Sequence, residues 1–237
     1  DSWLLYSDKA QPDTAPYGHK LESGFEVSAL HLRYNTGLSV QSNGRRLARL
    51  LNKVAEHWPV PVARILLVGH SMGGLVSRIA VESLGETQQL ASPLVKEVVC
   101  LGTPHTGAPL ARLAGKGEEL FSRFELSKPL GKVLGVRSTG VRDLQTGLGS
   151  LQTADGREVG FHLLGATVGK STGSRLNESL GDGLVQMSSA LADESGQAQR
   201  LAFAEMHHMM LLNHPEIYRQ LEAVVRLHIK PKQLIQE

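Results

Sequence analysis

The feature that most constrains this chain is a short apolar run, Ile65-Leu66-Leu67-Val68. It breaks into Gly69-His70-Ser71-Met72-Gly73-Gly74 and resumes as Leu75, Val76, Ile79, Ala80 and Leu84 at helical spacing. A short, wholly apolar run reads as a strand buried on both faces. The pattern G-x-S-x-G between a strand and a helix sets a serine at the tip of a sharp, strained turn. Side chains two residues to either side of that serine would collide, so Gly69 and Gly73 occupy those places. The helix that follows aims its N-terminal N–H groups and positive dipole end at Ser71. The Met72 N–H is then a natural donor to an oxyanion. Ser71 reads as a nucleophile, with Gly69, His70 and Gly73 shaping its turn.

Strand and helix patterns alternate through the rest of the chain. Residues 27–34, 98–101, 159–166 and 200–204 read as strands. Leu47, Leu50, Leu51, Val54 and Trp58 recur at helical spacing until Pro59 and Pro61 stop them, and a last helix starts near Pro215. Alternation of this kind implies an α/β fold, a mainly parallel sheet covered by helices on both faces. Residues 105–157 break the rhythm. They are rich in Gly, Lys, Arg and Ser, with weak apolar clusters at Leu113, Leu120, Phe121, Phe124 and Leu126, and read as an inserted, mobile helical cap. The domain reading is therefore one domain over residues 1–237 with a cap at 105–157.

Composition excludes several classes. The 237 residues carry 25 Lys+Arg against 23 Asp+Glu, a formal charge of +2 and no basic footprint for nucleic acid. No apolar stretch is long enough for a transmembrane helix. A single cysteine, Cys100, excludes an internal disulfide and a cysteine-based zinc site. Small charge and the lack of a signal segment make the cytoplasm the default location.

A nucleophilic serine needs a base and an orienting acid, and on a strand-to-helix turn these follow in the order acid, then histidine. Downstream of Ser71 lie Asp143, Asp155, Asp182 and Asp193. The first two fall in or beside the cap, and Asp193 lies in a polar Asp-Glu-Ser-Gly turn. Asp182, in Gly181-Asp182-Gly183-Leu184-Val185, follows a strand in a tight, exposed turn and is the candidate acid. The last strand delivers Met206-His207-His208-Met209-Met210, and His208, followed by apolar residues that can anchor its loop, is the candidate base. His207 is the adjacent alternative. His207, His208 and His214 match no metal-binding spacing, so no metal is expected. Gly165 to Ser171 resembles a phosphate-binding loop, but the pattern needs glycine at 164, where the chain has Leu164.

The chain resembles α/β-hydrolases of the lipase type, most of all the bacterial esterase and lipase group related to GPI inositol-deacylases. The resemblance rests on Leu32-Arg33-Tyr34-Asn35-Thr36-Gly37, Asn43-Gly44-Arg45, Gly69 to Val76, Leu101-Gly102-Thr103-Pro104-His105-Thr106-Gly107-Ala108-Pro109-Leu110, Gly181 to Val185, and His208 to Leu212. It implies Ser71 as nucleophile, Asp182 as acid and His208 as base, and places Thr103-Pro104-His105 beside the site, which makes His105 a further candidate. It also implies a strand ending in His-Gly before the Trp3 region, with a second oxyanion donor after it. This chain is therefore expected to be an N-terminally shortened form that lacks its first strand or strands, with that donor upstream of Asp1.

The function expected is hydrolysis of carboxylic esters, as an esterase or lipase in lipid metabolism, through an acyl-enzyme and without a cofactor. The partner expected is a small-molecule or lipid ester. Leu113, Leu120, Phe121, Phe124, Met209 and Met210 would either favour acyl chains or simply pack the cap against the core. Acyl transfer, thioester hydrolysis or a non-catalytic scaffold are the alternatives that share these residues.

Overall fold

The structure, a computed structural model, describes residues 15–87, 89–108, 138–149, 159–172 and 180–232. The chain divides into two compact units, Asn35–His208 and a smaller one formed by Asp1–Tyr34 with Met209–Glu237.

The larger unit is built on a four-stranded parallel sheet: β1 (Ile65–His70), β2 (Val95–Leu101), β3 (Gly160–Ala166) and β4 (Gln199–Phe203), in the spatial order β1-β2-β3-β4. Gly69 lies opposite Cys100, Cys100 opposite Leu163, and Ala166 opposite Phe203. All four strands therefore end along one edge, where the turns after them lie side by side.

Helix α2 (Val40–His57) starts because the Ser39 hydroxyl accepts from the Ser42 N–H, and the Asp143 carboxylate accepts from the Val40 N–H. Its buried residues Val40, Asn43, Gly44, Ala48 and Leu51 recur every three or four positions and form one stripe. That stripe packs on α3 (Met72–Thr87). The crossing is close at Gly44, where a Cβ would sit 2.4 Å from Ile79 Cβ and Cγ2. Ala48, Leu51, Ala80, Val81 and Leu84 then join Leu67, Val98, Cys100 and Leu163 in a single apolar core. Beyond the core, His162 on β3 and Glu97 on β2 share a buried 2.8 Å hydrogen bond. Helix α4 (Thr139–Thr146), capped by Ser138, and the short α5 (Met187–Ala190), which packs on β3, complete the larger unit.

The smaller unit contains α1 (Tyr17–Gly24) and α6 (Pro215–Arg226). The buried Tyr17 hydroxyl accepts from the His214 N–H at 2.6 Å and donates to a backbone carbonyl, and its ring stacks on Tyr218. His214 caps α6, its Nδ1 accepting from the Glu216 N–H. Pro215 opens that helix as expected.

Two sequence expectations are corrected. Residues 27–34 form no strand: no ladder partner is offered among the described residues, and Leu30 and Leu32 are exposed. Apolar and β-prone residues create the local pattern, but a strand exists only through pairing. Nor is β1 buried on both faces. Val68 is 37% exposed, because β1 pairs only with β2 among the described residues and closes that edge of the sheet. Of the expected cap, residues 109–137 and 150–157, Asp155 among them, lie outside the described residues, as does Trp3.

Candidate active site

Ser71 sits between the last residue of β1 and the first of α3, with φ at 53°. An L-residue avoids this left-handed region at a cost of about 1–2 kcal/mol, so the conformation persists only where the surroundings impose it. They do so from both sides. The Ser71 N–H donates to the Leu101 carbonyl at 2.9 Å, and the Gly74 N–H donates to the Ser71 carbonyl. The turn is too tight for side chains. A Cβ on Gly69 would stand 2.4 Å from the Gly74 nitrogen and 2.5 Å from the Gly73 carbonyl carbon, and one on Gly74 would stand 2.0 Å from the Thr103 hydroxyl. Met72 opens α3, so its N–H belongs to the first-turn donors that the helix itself leaves unpaired.

Asp182 and His208 meet. His208 Nδ1 lies 2.6 Å from Asp182 Oδ2, both side chains are buried, and the His208 N–H also donates to the Asp182 carbonyl. The other carboxylate oxygen, Oδ1, accepts from the N–H groups of Leu184 and Val185 at 2.9 and 2.8 Å. Gly181 and Gly183, with φ of 55° and 93°, make that turn possible. The expected exposed turn is thus corrected: Asp182 is 2% exposed, because its carboxylate is folded inward onto its own backbone and onto His208. A carboxylate only accepts, so Nδ1 carries the proton and the neutral ring's lone pair is on Nε2. That Nε2 is buried with no hydrogen-bond partner among the described residues.

The other described aspartates are engaged elsewhere. Asp143 caps α2. Asp193 closes its own turn: burial pushes its carboxyl up, but hydrogen bonds from Ser195, Ala198 and Gly196 outweigh that and hold it below the usual range. His208, not His207, faces Asp182; His207 is half-buried. The loop that delivers His208 turns at Glu205, with φ of 54°. It is tied to the turn after β3 by Glu205 N–H to the Gly169 carbonyl and Met206 N–H to the Thr167 carbonyl.

His70 joins the two ends of the site. Its Nε2 lies 3.0 Å from the His208 carbonyl, and the two rings are 4.4 Å apart at a tilt of 45°. Burial, and then the neighbouring His208, hold the His70 pKa well below that of an ordinary histidine.

A second buried polar group lies two helical turns after Ser71. Arg78, 1% exposed, donates from one terminal nitrogen to His105 Nδ1 at 2.9 Å and from the other to the Gly149 carbonyl. His105 therefore stands in the Arg78 cluster. Burial, reinforced by the Arg78 charge, brings its pKa down to about 3. Burial likewise pushes the Cys100 thiol up to about 12. Ser189 braces the same loop, accepting from the Thr106 N–H and donating to the Gly107 carbonyl. Sequence reasoning missed Arg78 and Ser189. Arg78 had a signal, since it is a cation set among Leu75, Val76, Ile79 and Ala80 of the same helix.

Comparison with known proteins agrees with this architecture. Residues 29–130 match the family model described as a PGAP1-like alpha/beta domain. The mature form of the Bacillus licheniformis lipase BlEst2 superposes with a TM-score of 0.54 at 23% identity, covering 79% of this chain and 75% of that one. This chain has the α/β-hydrolase fold. The propeptide-containing form of that lipase gives a TM-score of 0.55 at 21% identity, over 84% of this chain and 43% of the longer one. No curated protein sequence is similar enough to count as a match. No described helix is long and apolar enough to cross a membrane.

Proposed function

We propose that the chain is a serine hydrolase of carboxylic esters, with Ser71 as nucleophile, His208 as general base and Asp182 as the acid that orients it. The observation that carries this reading is the buried Asp182–His208 pair, whose Nε2 has no partner among the described residues and whose histidine is held by the residue next to Ser71.

In this mechanism Ser71 Oγ attacks the ester carbonyl as its proton passes to His208 Nε2. The Asp182 carboxylate keeps Nδ1 protonated and stabilises the imidazolium that forms. The Met72 N–H donates to the oxyanion, with the positive end of α3 behind it. His208 then returns the proton to the leaving alcohol oxygen as the tetrahedral adduct collapses to the acyl-enzyme. A water molecule, deprotonated by the same Nε2, releases the acid and restores Ser71. The likeness to the BlEst2 lipase supports an ester as the bond cleaved. The turns after β1 and β4 and the loop after β3 supply the three side chains, at the carboxyl ends of the strands, where open α/β sheets bind ligands.

The test is intact-mass labelling with a fluorophosphonate, followed by turnover of p-nitrophenyl esters. A single adduct that Ser71→Ala abolishes is the expected result. A folded chain that takes no label, or one that is labelled equally after the substitution, refutes the assignment.

A further inference from the structure

The middle residue of the Gly69-His70-Ser71 turn is more than a spacer. Asp182 holds His208 by the backbone N–H and by Nδ1. Neither contact restrains the far side of the ring, where Nε2 has no hydrogen-bond partner among the described residues. The remaining backbone group, the His208 carbonyl, is held by His70 Nε2 at 3.0 Å, and the His70 ring lies against the His208 ring at 4.4 Å. Because His70 ends β1 and is bonded directly to Ser71, this contact ties the nucleophile's strand to the base.

We propose that His70 is a positioning residue for His208: its Nε2–H clamps the His208 carbonyl and its ring limits rotation of the His208 imidazole, so that the ring keeps one orientation from which Nε2 can serve Ser71. The proposal rests on the reading of His208 as the base. A carbonyl only accepts, so His70 is the Nε2–H tautomer. Burial and the neighbouring His208 both keep His70 uncharged. An uncharged neighbour matters, because a cation there would oppose the imidazolium that His208 becomes during attack.

The experiment compares the full chain with His70→Phe, which keeps a ring and loses the donor, and His70→Gln, whose amide nitrogen reaches about as far as imidazole Nε2. With a p-nitrophenyl ester, His70→Phe is expected to lower kcat about 10- to 100-fold, the scale of a small misplacement of a catalytic group. KM should stay within about twofold, and His70→Gln should recover most of the loss. Wild-type kcat in His70→Phe, or equal impairment of the two variants, overturns the clamp. Nitrogen-15 NMR of the wild-type chain gives a readout independent of turnover. His70 is expected as neutral Nε2–H at pH 7, and an Nδ1–H or charged ring overturns the proposal. If the wild-type chain neither turns over esters nor takes a fluorophosphonate, the hydrolase reading fails, and the NMR result still decides whether His70 holds the His208 carbonyl.

Discussion

Replacing Asp182 by asparagine separates the two tasks of its carboxylate. Oδ1 accepts two backbone N–H bonds, from Leu184 and Val185, while Oδ2 accepts one from His208 Nδ1. An asparagine can place its carbonyl oxygen on only one side. Facing the backbone it keeps two bonds of about 1 kcal/mol each, and facing His208 it keeps one and sets its NH2 against two donors. The first orientation wins, so the NH2 points at His208 Nδ1 and forces the imidazole into the Nε2–H tautomer. That tautomer cannot take the Ser71 proton. The expected loss is about 10⁴-fold in kcat, or about 5.5 kcal/mol of barrier. The turn survives, and the thermal midpoint should stay within a few degrees of wild type. Asp182→Ala abandons both N–H groups as well and should destabilise by about 2–6 kcal/mol, at 1–3 kcal/mol for each unsatisfied donor. Ester turnover and circular-dichroism melting of the two variants read these effects separately. Asp182→Asn with activity within tenfold of wild type would refute the assignment of acid and base.

Two other outcomes follow from the same contacts. His105 is neutral in the fold, with its pKa at about 3, whereas the unfolded chain protonates it near its ordinary value. Its contribution to stability is therefore intact above about pH 6.5 and is lost as pH falls toward 3, by about 3 kcal/mol at pH 4. His105→Asn keeps an acceptor for Arg78 and removes the titration, so its melting temperature should fall less between pH 7 and pH 4; parallel curves would contradict this. Ser71→Gly should abolish ester turnover and raise the unfolding free energy read from urea titration by about 1 kcal/mol, because glycine accepts the 53° φ without strain. Ser71→Ala keeps the strain and should show no such gain.

The parts of this molecule that were legible in the sequence are those where chemistry and local backbone demand the same residue. The Gly69–Gly74 turn is one: the close approach of Gly69 to the backbone of Gly73 and Gly74 admits no side chain, and the strand and helix around it have distinct periodicities. Strands β2, β3 and β4 were found from apolar runs, and α6 from Pro215. Asp182 and His208 were selected by their order in the chain and their place after strands, and the structure brings them within 2.6 Å. What failed was whatever depends on distant partners. Residues 27–34 carry strand-like patterning without a ladder. The burial of Asp182 follows from N–H groups two and three residues on and a histidine 26 residues away, which no local pattern reveals. Arg78 stands out in the sequence as a cation among apolar helix residues, but its role is readable only once its partners, His105 and Gly149, are known to be beside it.

The arrangement also explains why so polar a site can sit in the sheet's edge without loosening it. Each candidate group is anchored by backbone as well as by side chain: Ser71 through its N–H on Leu101, Asp182 through Leu184 and Val185, and His208 through its N–H on Asp182 and its carbonyl on His70. Such anchors have little rotamer freedom to lose, so the ordering cost that side-chain contacts would carry is small. The same anchors leave the reacting atoms free. Nε2 of His208 is without a partner among the described residues, and the Met72 N–H is a donor that α3 does not use. A site held this way is organised before substrate arrives, and the strain stored at Ser71 is the cost of that organisation. It follows that stabilising the turn and keeping the activity are opposed demands at residue 71, and that is the contrast the glycine and alanine variants measure.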